Sequence, residues 1–92
     1  TQKATWGYAL GINDNGNMVG ITGYLFKGKS VETAVLWPDA GNVIDLNKKV
    51  GLGRGEKLDR ANVINNSGDI LASGSFPGVA EGGYAACLLI AK

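Results

Sequence analysis

The sequence predicts an all-β protein made of two tandem antiparallel four-stranded meander repeats. Each repeat has the character of a propeller blade, and a small two-sheet β-sandwich is the alternative packing. Three observations carry this prediction. One residue pattern recurs along the chain at a fixed offset. Within each copy the apolar residues fall in short runs bounded by Asn, Gly and Pro. No segment combines a 3.6-residue apolar period with the capping residues of a helix.

The repeat sets the domain organisation. "ALGINDNGNMVG" begins at Ala9 and "ANVINNSGDILA" at Ala61, an offset of 52 residues. At that offset Ile12 falls on Ile64, Asn13 on Asn65, Gly16 on Gly68 and Tyr24 on Phe76. Ala34 then falls on Ala86 and Leu36 on Leu88, still without a gap. One offset held over such a span implies two copies of one unit, about 5–47 and 57–92, joined by a Gly-rich connector over 48–56. Ninety-two residues make a single domain with a thin core. The second copy stops before a counterpart of Asp45-Leu46.

The elements follow in order. An extended segment ending at Ile12 meets Asn15-Gly16, a hairpin signal whose residues accept positive φ. The second copy turns at Asn66-Ser67-Gly68. After each turn stands an adjacent apolar pair, Met18-Val19 or Ile70-Leu71. Strand neighbours face opposite sides, so both faces of this strand are expected to be covered. "AVLW" and "CLLI" are continuous apolar strands with the same implication. Pro38-Asp39-Ala40-Gly41 is a turn, and Val43 to Leu46 a short fourth strand.

Composition excludes several classes of function. Apolar residues make up 45% and charged residues 18%, a globular balance. Nine basic and eight acidic residues give a net charge of +1 with no basic stripe, so neither nucleic acid nor membrane insertion is expected. The longest apolar run, "AACLLIA", falls far short of the roughly 20 residues that span a bilayer. No signal peptide is visible. Histidine is absent, which removes the commonest general base and metal ligand. Cys87, the single cysteine, lies in an apolar run without cationic neighbours and reads as a small buried hydrophobe.

Several stretches imitate functional motifs. "GYLFKGKS", Gly23 to Ser30, fits the phosphate-loop pattern. A phosphate loop needs a helix starting at its lysine. Here β-branched residues and Pro38 follow, and bulky Tyr24, Leu25 and Phe26 fill positions that must be open. The segment is expected to connect the second and third strands and to bind neither ATP nor GTP, and no cofactor is expected. Asp14 and Asp69 are the charged residues of the oxygen-rich turns and the weak calcium candidates. The spacing fails the EF-hand pattern, and Asn and Asp are what tight turns need for their own backbone bonds. Asn15, Gly16, Ser67 and Gly68 are therefore read as structural turn residues. Arg54, in the connector, is a candidate contact for an anionic ligand. Tyr24 and Phe26, at i and i+2 of an extended segment, share one face and form the best candidate patch for a carbohydrate or protein partner. No two of the eight acids adjoin in sequence, so a carboxylate-dependent hydrolase would need tertiary pairing.

"ALGINDNGNMVG", "TAVLW" and "IDL" together resemble the HAF-type extracellular repeat of bacteria. The second unit keeps Ala61, Ile64, Asn65, Gly68 and Ala86 of that pattern and departs from it at Val63, Ala72 and Leu89. The His-Ala-Phe triplet is replaced by Thr33-Ala34-Val35 and Ala85-Ala86-Cys87. The resemblance implies an exported, β-rich, propeller-like repeat protein without a defined catalytic site. The expected function is a non-catalytic, extracellular binding or assembly module. A small repeat lectin completing a ring from several chains is one alternative, and a carboxylate hydrolase the other. A homo-oligomer is expected, because the second sheet would end on an unpaired edge. The segment Thr1 to Thr5, or a neighbouring chain, is the expected strand for that place.

Overall fold

A computed structural model describes residues 6–39, 41–53, 55–77 and 84–90. The expected strands at Thr1 to Thr5 and the candidate Arg54 lie outside these residues. The protein is all-β. Strands β1 (Trp6–Ile12), β2 (Met18–Phe26), β3 (Lys29–Asp39) and β4 (Asn42–Asp45) form a four-stranded sheet in the order β1-β2-β3-β4. A single 3-10 turn, Leu46–Lys48, follows. Strands β5 (Lys57–Ile64), β6 (Ile70–Ser75) and β7 (Tyr84–Leu89) form a second sheet in the order β5-β6-β7. Every pairing is antiparallel, so both sheets are meanders. Among the described residues the second sheet has three strands, one fewer than the four expected of each repeat.

The repeat turns have nearly the same geometry in both copies. Gly16 and Gly68 take positive φ, 81° and 89°. In each turn the glycine N–H donates to the carbonyl of the leading asparagine, Asn13 or Asn65, at 3.1 Å. The Asn13 side-chain oxygen also accepts from the N–H groups of Asn15 and Asn17, and Asn65 accepts likewise from the Asp69 N–H. Asn15 does not have positive φ, contrary to what a two-residue Asn-Gly turn needs. The leading asparagine closes a longer loop through its side chain, and only the glycine enters the left-handed region. A Cβ at Gly16 would meet nothing within 4 Å. Gly16→Val should therefore destabilise by about 1 kcal/mol or more, through backbone strain alone. Gly16→Asn should lose less than half of that in a denaturant titration, since asparagine tolerates this region. Equal losses for the two variants would contradict this cause.

The phosphate-loop look-alike is a β-hairpin. Phe26 pairs with Lys29 across a two-residue turn in which Lys27 and Gly28 both have positive φ, 52° and 79°. That is the signature of a tight primed turn. The helix that a phosphate loop requires does not follow.

The sheets share one core. Val19 and Ala34 of the first sheet, Leu46 of the 3-10 turn, and Leu58, Ala61, Ile64, Ile70 and Ala72 of the second sheet are buried together. β5 lies against the first sheet, in contact with β1, β2 and β3. The connector is anchored by its apolar residues: Val50 and Leu52 pack against the core, and the Gly53 N–H donates to Glu56 Oε1. Asn47 fastens the end of the first unit to the start of the second. Its amide donates to the Leu58 carbonyl at 2.9 Å and accepts from the Leu58 N–H at 2.7 Å. Asp45 holds Asn47 in place by accepting from its backbone N–H at 2.9 Å.

The expectation that both faces of the apolar strands are covered fails on the second sheet. Leu71, Leu88 and Ile90 are exposed, although their strand neighbours Ile70 and Leu89 face the core. Among the described residues, one sheet packs against only one face of the other, and the far face is left exposed.

Candidate functional site

Three surfaces gather the side chains that could act. The first joins the two repeat turns to each other. Asn13 Nδ2 donates to the Asn65 carbonyl at 3.1 Å. The Asp14 N–H donates to Asn66 Oδ1, and Asn66 Nδ2 donates back to Asp14 Oδ2, each at 2.8 Å. Asn15 Nδ2 reaches the Asn66 carbonyl at 3.4 Å. The calcium candidates are thus engaged in turn chemistry: Asp14 bonds Asn66, and Asp69 Oδ2 accepts from Asn65 Nδ2 at 3.2 Å. Among the described residues no three His, Cys, Asp or Glu side chains gather to hold a metal. Asn66, read from the sequence as a turn residue, stands at the repeat offset from Asp14 and bonds it across the two turns.

The second surface is a shallow, open groove lined by Glu32, Asp59, Arg60, Asn62 and Ser73. Glu32 comes from β3, and the others from β5 and β6. Arg60 bridges the two sheets, its guanidinium 3.6 Å from the Glu32 carboxylate. Asn62 Nδ2 donates to Ser73 Oγ at 3.2 Å. Burial pushes the Asp59 carboxyl above its ordinary 3.8, and the nearby Glu32 charge adds to this. Lys57, with its amine 4.0 Å away, and Arg60 act in the opposite direction. Sequence reading missed this group, because its members are remote in sequence and carry no motif.

The raised Asp59 value has a sign that can be tested. A carboxyl whose pKa rises on folding opposes folding once it ionises. Its contribution to stability is fully present below pH 3.8 and is lost as pH rises through the higher folded value. Asp59→Asn should therefore raise the melting temperature at pH 7 and leave it nearly unchanged at pH 3. Thermal scans across that range give the check. A variant that melts lower than the wild type at pH 7 would show that the Lys57 contact outweighs the burial.

The third surface is the β2–β3 hairpin with its aromatic patch. Tyr24 and Phe26 lie on one face of β2 as expected, but Tyr24 is half-buried and only Phe26 is exposed. The Lys27 amine stands 5.4 Å from the Phe26 ring centre, in cation–π range. Trp6 and Tyr8 make a separate aromatic pair, 5.6 Å between ring centres, on β1. The Trp6 ring fills the space above Gly23, so a Cβ there would force the ring to move. Cys87 is half-buried and faces the core, and burial raises its thiol pKa, consistent with an inert side chain.

Comparison with family models, with curated proteins and with solved structures returns no match.

Proposed function

We propose that the chain is a non-catalytic, exported assembly module built from propeller-like blades, acting through its sheet faces and not through a reaction centre. The observation that carries this reading is the apolar ladder on the outer face of the second sheet. Val63 pairs with Leu71 and Leu71 with Leu88 across three strands, and all three side chains are exposed. A contiguous apolar surface of this kind marks an interaction site. The extracellular setting follows from the resemblance to HAF-type repeats. The test is light scattering after size exclusion at about 100 μM, where a self-associating chain exceeds the mass of one protomer. A single-protomer mass would contradict the reading.

A carboxylate-dependent hydrolase is the second reading, favoured by Glu32 and Asp59 in one groove and by the raised Asp59 value. Its weakness is that Glu32 is held by Arg60 and the groove is open to water. Glycosidase substrates turned over by the wild type, but not by Asp59→Asn, would establish it.

A further inference from the structure

The internal repeat lets each sheet face be read twice. On the first sheet Val19, Ala34 and Leu36 turn toward the second sheet. Their counterparts, 52 residues on, are Leu71, Ala86 and Leu88. Val19 is 0% exposed, whereas Leu71 is 41% and Leu88 60% exposed. On the second sheet the relation reverses beside the turn, while further along the same face Val35 is buried at 2% and its counterpart Cys87 is half-buried. Ile64 is 7% exposed and its counterpart Ile12 is 65% exposed. Ala61 is buried and its counterpart Ala9 is exposed. The two units therefore meet through opposite faces. Such a contact is heterologous: its halves differ, and each unit keeps the half it has not used.

We infer that a second copy of this chain docks head-to-tail, laying the Ile12 face of its first sheet on the Val63–Leu71–Leu88 face of this one. This rests on the reading of the chain as an assembly module. The internal junction is the template. There the first sheet presents Val19 and Leu36, and the second sheet answers with Ile64 and Ile70. At the junction between copies Leu71 and Leu88 take the first role, and Ile12 and Met18 take the second.

The turns supply the register. Asn13 Nδ2 divides its two hydrogens between Asn17 Oδ1 and the Asn65 carbonyl. Its counterpart Asn65 Nδ2 bonds the corresponding Asp69 Oδ2, which leaves its second hydrogen for the Asn13 carbonyl of the next copy. The Asn66 N–H stands where the Asp14 N–H stands internally and would meet the Asp14 carboxylate of that copy. One difference between the junctions is fixed by sequence. At Gly11 the opposing Asn62 carbonyl lies 3.1 Å from the place of a Cβ, and the counterpart of Gly11 is Val63. The junction between copies is therefore wider at that point than the internal one.

Two charge substitutions at exposed positions test this. Ile12→Asp damages one half of the contact and Leu88→Asp the other, and circular dichroism verifies that both remain folded. In light scattering at about 100 μM the wild type is expected above the mass of one chain, and each variant alone at that of a single chain. An equimolar mixture of the two is expected to form a one-to-one pair, because each variant brings the half that the other lacks. A variant that alone retains the wild-type mass, or a mixture that stays monomeric, overturns the head-to-tail contact while leaving self-assembly in place. A monomeric wild type overturns both.

Discussion

Leu58→Ala should remove about 2–5 kcal/mol of folding stability, within the range for deleting a buried leucine side chain. Leu58 is fully buried and, with Val19, is one of the two largest side chains with no exposure. It lies in the core cluster that joins the two sheets. Its backbone N–H and carbonyl are both held by Asn47, so β5 is not free to shift into the space left behind. A chain of this length has roughly 5–15 kcal/mol to lose, and a thin core puts it toward the lower end. The melting temperature should fall by about 4–8 °C for each kcal/mol lost. Leu71→Ala, on the bare face, should change stability by less than about 0.5 kcal/mol. Urea titrations that gave the two variants equal losses would show that the core is not centred on β5.

The two glycine turns were legible because turn chemistry is local. Asn13 and Asn65 close their loops with their own side chains, and Gly16 and Gly68 meet the one dihedral demand that other residues resist. The β1–β2 and β5–β6 pairings followed from those turns. The hairpin at Lys27-Gly28 was not recognised as a tight turn, since lysine is an uncommon residue at positive φ. Which face is covered was not legible either. Met18-Val19 and Ile70-Leu71 look alike in sequence. Their burial differs because the two sheets pack through different faces of these strands, and a property of packing leaves no mark on either strand.

The same limit explains the groove. Glu32 reads as one polar residue within β3, and Asp59 and Arg60 as charges beside a buried leucine. Their meeting depends on how β5 crosses the first sheet. Asn47 is a similar case. Its double bond to the Leu58 backbone links the end of one unit to the start of the next, yet in sequence it is an asparagine after an apolar residue.

Gly74→Ala should be the most damaging single-methyl change in the second sheet. Gly74 lies opposite Leu58, where the register between β5 and β6 slips between Leu58 and Arg60. The irregularity presses the β5 backbone against β6. A Cβ at Gly74 would come within 1.8 Å of the Lys57 carbonyl oxygen and 2.7 Å of the Leu58 Cα. Both obstacles are backbone, so no side-chain rotation relieves them and the two strands must part locally. The cost should reach the upper part of the ~1–3 kcal/mol range for overpacking, or exceed it. Gly20 obeys the same logic in the first sheet: it lies opposite Ala9 beside a register shift, and a Cβ there would come within 1.9 Å of the Tyr8 carbonyl oxygen. These two glycines differ in kind from Gly16, which has open space around it and an unusual φ. Asparagine should therefore partly substitute for glycine at Gly16 and fail at Gly20 and Gly74. Denaturation midpoints of Gly16→Asn and Gly74→Asn provide the comparison. A Gly74→Asn protein as stable as Gly16→Asn would mean that the β5–β6 backbones do not approach as closely as the register shift brings them.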